Sequence, residues 1–290
     1  MEDDDTEQLR ATVASLDRLL EQYEPLRELH WQVPSGSPLA GDDAKTDPYQ
    51  VSHSVQHAVQ AAADHLHCLR SSLVQHMDAE RVTLVLHTYG SFTLLRGALE
   101  NSARAVWLLA PASRYERIRR RLALQNDDIK NRHAMDRVAQ AANALLPQED
   151  PGPPRRTEEQ QRQHLVDLLT AAGGPQNDPK KVKEELRFPG YGNVVREAGS
   201  QLPQLQKSSG ERPDMASLLE LMWRACSALA HGDLGGSLGQ LHREVRATEG
   251  DRVFLRLTGS ASELRSRTEL TCMTVNKAID LFAERSSPPR

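Results

Sequence analysis

The chain has 290 residues, of which 38% are hydrophobic, 26% charged and only 4% aromatic, and its formal net charge is -4. The prevalence of strong helix formers such as Ala, Leu, Arg and Glu favours helices. The few aromatic residues argue against an all-β sandwich and against proteins that stack single-stranded bases. We therefore expect an all-α fold, a helical bundle of about seven or eight helices with a minor C-terminal β-hairpin.

Cysteine usage and hydropathy indicate the compartment. Cys68, Cys226 and Cys272 are far apart and form neither a zinc pattern nor a disulfide framework, which indicates a reducing environment. The acidic start of the chain is unlike a signal peptide, and no apolar run reaches the ~18–20 residues that a membrane span needs. We expect a cytoplasmic protein with no membrane partner, no metal and no cofactor.

Residues 1–32 are predicted to form an acidic N-terminal helix that Pro25 kinks or ends. Residues 1–50 hold twelve acids against four bases. Apolar residues recur with the 4, 3, 4, 3 spacing of a coiled coil at Leu9, Val13, Leu16, Leu20 and Tyr23. This row of side chains either packs on its own domain or serves dimerisation, and the acidic helix offers a surface to a protein partner.

Residues 33–48 have the composition of a linker, and residues 49–146 are predicted to form the first helical half of the bundle. Its first helix, predicted over 49–76, carries His53 and His57 at an i, i+4 spacing that can hold a metal. Because no third ligand follows within reach, solvent-facing histidines are the preferred interpretation.

The most apolar stretch, 81–110, has one polar stripe spanning about 80° of a helix, formed by Tyr89, Thr93, Arg96, Glu100 and Arg104. Arg96 and Glu100 can pair along the helix. The next predicted helix, up to residue 146, opens with a group of arginines that includes Arg117 and Arg120. These arginines form either a phosphate-binding face or a solvated face, and their place at a helix N-terminus, where cations are disfavoured, favours an anionic partner.

Residues 147–157 form a Pro-rich linker, and residues 158–290 are predicted to be the second helical half. Short helices near 180–187 and 193–198 form a peripheral cover. A helix follows from 213 to Gly232, then a small hairpin around Glu249–Gly250–Asp251, and a last helix over 261–284.

The helix ending at Gly232 carries a second polar stripe, with Glu220, Arg224, Ser227 and His231 within about 60°. In a structural interpretation, His231 binds free carbonyls at the helix end and Arg224 pairs with Glu220. In a functional interpretation, His231 moves a proton and Arg224 clamps a phosphate, without a metal. Both stripes then belong to one polar seam inside the bundle.

The run R-A-C-S-A-L-A-H, from Arg224 to His231, resembles the signature of the HEPN superfamily: an arginine, four to six residues, and a histidine ending a late bundle helix. The run from Arg96 to Pro111 and the S-x-x-x-H-G ending from Ser227 to Gly232 also look like segments of uncharacterised bacterial helical proteins. The resemblance covers two helices and implies an RNA-directed, metal-independent endoribonuclease of a toxin, anti-phage or RNA-processing system. It also implies a homodimer with a composite site.

The roles that follow from this resemblance are specific. His231 would move the proton, Arg224 would hold the phosphate, and Ser227 and Glu100 would orient the pair. From the charge pattern rather than the resemblance, Arg96 would extend the positive seam, and the further candidates for phosphate binding are Arg104, Arg117 and Arg120. Because Ala225 stands where active ribonucleases commonly have a polar residue, the alternative is a non-catalytic helical interaction protein whose stripes are buried structural networks.

Overall fold

A computed structural model describes residues 2–28, 31–77, 82–142, 156–176, 178–205, 213–249 and 252–288. Within them the fold is all-α, as predicted, with eleven helices instead of seven or eight and with two small antiparallel hairpins, of which the C-terminal one was predicted. The helices are α1 (Glu2–Glu28), α2 (Pro38–Thr46), α3 (Val51–Leu73), α4 (Gly90–Leu109), α5 (Arg114–Ala142), α6 (Glu158–Ala171), α7 (Pro179–Glu185), α8 (Tyr191–Gly199), α9 (Met215–Ala230), α10 (Leu234–Gln240) and α11 (Ala261–Ser286). The strands are β1 (Val74–Met77), β2 (Val82–Leu84), β3 (His242–Glu249) and β4 (Arg252–Thr258).

The chain divides into two units that differ from the predicted halves. The first unit comprises Met1–Gln32, Val55–Ala110 and Gly190–Glu284, and the second comprises Val33–Ser54, Pro111–Pro189 and Arg285–Arg290. The predicted second half is split because α8 and α9 pack on α4, which is far earlier in the chain. Long-range packing of apolar helices therefore decides the division, and linker composition does not.

The first unit is centred on α4, α8 and α9. A Cβ atom on Gly199, at the end of α8, would lie 2.5 Å from the carbonyl oxygen of Met215, so only glycine allows this approach to α9. Val194, Val195 and Ala198 of α8 are fully buried. Helix α8 was predicted as a peripheral cover, and that prediction was wrong because its apolar face is a part of the core.

Helix α1 buries its predicted apolar row inside the first unit. Leu16 is fully buried, Leu9, Leu20 and Tyr23 are nearly so, and Asp17 accepts a hydrogen bond of 2.7 Å from Arg70 of α3. The row therefore packs on its own unit, which was one of the two interpretations. The prediction that Pro25 ends or kinks the helix was wrong about the end, since α1 continues to Glu28.

The hairpin β3–β4 confirms the predicted strands, with pairs running from His242–Thr258 to Glu249–Arg252. The hairpin β1–β2 was not predicted. Residues 74–76 were predicted to end the preceding helix, because an apolar residue such as Val74 fits either a helix or a short strand. Strand β2 lies at the start of the apolar stretch 81–110, and helix α4 begins at Gly90, further along that stretch.

The second unit contains α2, where the sequence predicted a linker. Ser37 accepts a hydrogen bond of 3.2 Å from the Ala40 amide, and Pro38 occupies the first turn, so the residues that suggested a linker in fact start a helix. The helix buries Leu39 and Thr46. Most of the predicted 147–157 linker lies outside the described residues.

A buried ion pair joins α2 to α5. The Asp42 carboxylate accepts hydrogen bonds of 2.5 Å and 3.0 Å from Arg117, and both side chains are almost completely buried. Arg117 also donates to the carbonyls of Pro111 and Ala112. Burial raises the pKa of Asp42 above its ordinary value, while the hydrogen bonds and charge of Arg117 oppose the rise.

No helix among the described residues is long and apolar enough to cross a membrane.

We expect Asp42→Ala to lower the free energy of unfolding by about 3–5 kcal/mol, because it leaves the Arg117 guanidinium buried without its counter-charge. Denaturant unfolding measures the change. Asp167→Ala, on α6 where the carboxylate is exposed, is the matched control and should cost less than about 0.5 kcal/mol. Equal losses in the two variants would contradict a structural role for the Asp42–Arg117 pair.

Candidate functional site

The two predicted polar stripes meet where α4 packs on α9. The Arg96 Nε donates a hydrogen bond of 2.9 Å to the Ser227 hydroxyl, and the Trp223 Nε1 donates one of 3.0 Å to the Glu100 carboxylate. Arg96 lies 3.3 Å from the same carboxylate. These four residues, Arg96, Glu100, Trp223 and Ser227, form what we call the α4–α9 network. Its side chains are half-buried, so the hydrogen bonds are partly shielded from water.

The network fixes the rotation of α9 about its axis. Trp223 and Ser227 are one turn apart and face α4. At about 100° per residue, Arg224 lies about 100° and His231 about 80° around the helix from Trp223. The predicted functional pair is therefore turned away from α4 and toward solvent, and both residues are exposed.

Arg224 belongs to a cluster in which two exposed arginines, Arg196 and Arg224, bind the half-buried Glu220 carboxylate. Its Nε and one terminal nitrogen donate hydrogen bonds of 2.9 Å and 2.7 Å to Glu220 one turn earlier. Arg196 of α8 donates a further bond of 3.1 Å to the other Glu220 oxygen. The Arg224 side chain is 64% exposed.

His231 caps the end of α9. Its backbone amide donates to the Ser227 carbonyl, and Gly232 follows with a φ of 64°, the predicted C′ glycine. The imidazole is exposed, and it has no hydrogen bond to any part of the chain that the structure describes. The structural interpretation had the imidazole bound to free carbonyls, and that contact is not among the described ones.

The side chains of Glu100 and Ser227 have no described hydrogen bond to the side chains of Arg224 and His231, which they were predicted to orient. Glu100 is held by Trp223 and Arg96, and Ser227 is held by Arg96. Arg96 thus binds two protein oxygens, and its guanidinium also lies 6.0 Å from the Trp223 ring centroid.

Arg104 lies two turns further along α4 and is not joined to the network by a described contact. One of its terminal nitrogens donates a 2.8 Å hydrogen bond to Asn101. Its Nε is buried and has no partner within the described ranges. The phosphate-binding role given to Arg104 stays a prediction.

The arginines at the start of α5 belong to the second unit and are paired with acids. Arg117 is buried against Asp42, and Arg120 donates a hydrogen bond of 2.8 Å to Glu116. Burial alone would raise the pKa of Glu116, but hydrogen bonds from Arg119 and Arg120 outweigh it and hold that pKa below its ordinary value. A buried Arg117 is not open to a phosphate, because Asp42, from the segment predicted as a linker, takes that place.

Two residues of this region were missed in the sequence. No role was predicted for Trp223, although a half-buried indole N–H needs a hydrogen-bond acceptor, which Glu100 supplies. Arg196 gave no usable signal, because its contact with Glu220 depends on how α8 packs on α9.

His53 and His57 are both exposed on α3, in agreement with the preferred interpretation. Across the described part of the chain, no three His, Cys, Asp or Glu side chains are grouped so that they could hold a metal ion.

Comparison of the chain with protein-family models, with curated proteins and with solved structures gives no match. The HEPN resemblance therefore depends on the residues of α4 and α9 alone, and the function attached to it stays a hypothesis.

The cluster around Glu220 has a measurable electrostatic signature. Hydrogen bonds from Arg224 first, and then from Arg196, hold the pKa of Glu220 below its ordinary value of 4.5. A carboxyl group whose pKa is lower in the folded than in the unfolded protein stabilises the fold when it is ionised. The stabilisation by Glu220 is therefore fully present above its unfolded-state pKa of about 4.5, and it is lost as the pH falls through the lower folded-state pKa.

We expect Arg224→Ala to raise the pKa of Glu220 toward 4.5, and to do so more than Arg196→Ala does, because Arg224 supplies the larger effect. Carbon-detected NMR titration of the Glu220 carboxyl measures both values. A Glu220 pKa that is unchanged in both variants would contradict the described pairing.

Proposed function

We propose that the exposed edge of α9 binds RNA and that the protein is a HEPN-like, metal-independent endoribonuclease of a cytoplasmic toxin, anti-phage or RNA-processing system. The observation that supports this proposal most is the joint exposure of Arg224 and His231 on one side of α9, with the His231 imidazole free of described hydrogen bonds. A proton-transfer residue and a phosphate-binding residue both need such access.

The chemistry requires only these two side chains and the RNA. The His231 imidazole accepts the proton of a 2′-hydroxyl, whose oxygen attacks the adjacent phosphorus. The 5′-oxygen of the next nucleotide leaves and takes the proton back from the His231 imidazolium, which gives a 2′,3′-cyclic phosphate and a 5′-hydroxyl and regenerates the neutral imidazole. The Arg224 guanidinium stabilises the negative charge that builds up on the phosphate oxygens. Glu100 and Ser227 act at a distance in this scheme, because the network that contains them holds α9 in place.

A second copy of the chain would complete the site. Within one chain, the His231 ring has no described partner to orient it, and the Arg224 guanidinium is hydrogen-bonded to Glu220. Two α9 edges facing each other would supply the remaining contacts, as the resemblance implies for a homodimer.

The alternative is a non-catalytic helical interaction protein, and the α4–α9 network favours it. Glu100 and Ser227 are used in hydrogen bonds between helices, as in a structural network, and Ala225 follows Arg224. In this alternative the exposed cluster of Glu220, Arg196 and Arg224 contacts a protein partner.

We expect the wild-type protein to cleave RNA in EDTA and to leave an all-DNA strand of the same sequence intact. His231→Ala should lower the cleavage rate by about 10²-fold or more, and Arg224→Ala by about 10–10²-fold, because a charged hydrogen bond to the phosphate is lost. The measurement is the appearance of 2′,3′-cyclic phosphate ends on a labelled oligonucleotide.

The matched controls are His242→Ala, an exposed histidine on β3, and Arg265→Ala, an arginine paired with Glu269 on α11 as Arg224 is with Glu220. Both should keep wild-type activity. Equal cleavage by His231→Ala and wild type would refute the mechanism, and an absence of cleavage by the wild type would favour the interaction protein.

Glu220 competes with a phosphate for Arg224. We expect Glu220→Gln to tighten RNA binding about two- to fivefold, the effect of removing an exposed ion pair worth up to about 1 kcal/mol. Fluorescence anisotropy at fixed salt measures the affinity. Glu269→Gln, which removes the partner of Arg265, should leave it unchanged. Weaker binding by Glu220→Gln would show that the carboxylate itself contacts the ligand.

A further inference from the structure

The second unit holds a cavity of about 770 Å³ whose lining comes from α5, α6, α7 and the residues that flank α7. Part of the lining is apolar, with Val166, Val182 and Leu186. These side chains belong to, or pack against, a buried cluster around Ile118, Leu122 and Leu169. The cavity therefore has a floor formed by the outer edge of a hydrophobic core, and its volume is within the range of small-molecule sites.

The remaining lining carries an excess of positive charge. Five cations surround the cavity against two acids, Asp178 and Glu184, and these cations are Lys130, Arg162, Lys180, Lys183 and Arg187. Arg162 is bound to Glu158 at 2.8 Å, and its Nε is buried without a partner among the described residues. The other four cations have no ion pair with any described residue.

Cations held together without counter-charges repel one another, and an anion in the cavity removes that cost. Arg117 and Arg120 at the start of α5 show the contrast, because both are hydrogen-bonded to carboxylates, whereas four of the five cations of the cavity have no ion pair with a described residue. A fully hydrated inorganic ion would leave the floor of Val166 and Val182 uncovered. A ligand that has both a charged group and an apolar body covers both surfaces.

We propose that this cavity binds a small organic phosphate, in which a dianionic phosphate monoester group is attached to an apolar or ring-shaped body. The phosphate lies among Lys180, Lys183 and Arg187, and the body lies on Val166 and Val182. The side-chain amide of Asn126, another lining residue, donates a hydrogen bond of 2.8 Å to the Leu186 carbonyl, which ties α5 to the residue that follows α7. Its described lining includes no residue of α9, and the proposal does not depend on the proposed nuclease activity.

The charge and the body of the ligand are tested separately with four probes in isothermal titration of the full chain. Phenyl phosphate carries both features, benzoate keeps the ring with a single charge, benzyl alcohol keeps the ring without charge, and inorganic phosphate has no ring. We expect phenyl phosphate to bind at least tenfold more tightly than each of the other three. Equal affinity for benzoate or for inorganic phosphate overturns the assignment, as does an absence of phenyl phosphate binding.

Substitutions then locate the site. Lys180→Gln combined with Lys183→Gln should weaken phenyl phosphate binding about tenfold or more, because two charged contacts to the phosphate are lost. Lys181→Gln is the matched control: Lys181 lies between them in sequence, is 71% exposed, approaches Asp178 at 3.9 Å and does not line the cavity. It should bind like the wild type, and an equal loss in both variants overturns the location.

The contact between the apolar body of the ligand and the cavity floor is tested with Val182→Thr, which keeps the shape of the side chain and adds a hydroxyl. It should weaken phenyl phosphate several-fold and leave the weak binding of inorganic phosphate unchanged. If this variant does not fold, the lysine variants still decide, because both side chains are exposed.

Discussion

The contact between α4 and α9 is the constraint on which the first unit depends. An indole N–H bound to Glu100 and a hydroxyl bound to Arg96 allow one rotation of α9. Any other rotation would leave Glu100 and Arg96 half-buried without these partners, which is costly. Once Trp223 and Ser227 face α4, the helical repeat alone turns Glu220, Arg224 and His231 outward. Exposure of the candidate pair is thus a consequence of packing on the opposite side.

The contact between α4 and α9 also separates two roles, helix packing and ligand binding, that the sequence analysis gave to one polar seam. The half-buried polar residues hold the helices together, and the exposed ones are free to meet a ligand. Arg96 and Arg224 illustrate the difference, because both are bound to glutamates one turn away on their own helix, yet only Arg224 keeps most of its surface in water. Because most of the Arg224 side chain is in water, its ion pair with Glu220 is weakened, and replacing that carboxylate by a phosphate costs little.

Periodicity and capping residues predicted most helices and the C-terminal hairpin, because these features are local. The ends of α9 at Asp214 and Gly232 follow directly from a side-chain cap and a left-handed glycine. What could not be predicted depends on distant partners. Asp42 had to be matched with Arg117 across 75 residues, and Glu100 with Trp223 across 123. Composition also misled at Ser37–Pro38, where the same two residues that indicate a linker begin a helix.

The order of segments along the chain determines when the parts of each unit become available for packing during synthesis. The first unit draws on three separated stretches, and the last of them begins only at Gly190. Helix α4 therefore leaves the ribosome about 80 residues before α8 begins, and its apolar side must wait for α8 and α9. Contacts between stretches so far apart slow folding, because long loops must close before the packing of the helices repays the entropy. Neither unit corresponds to one continuous piece of the gene, so a truncation at the Pro-rich stretch would remove essential parts of both.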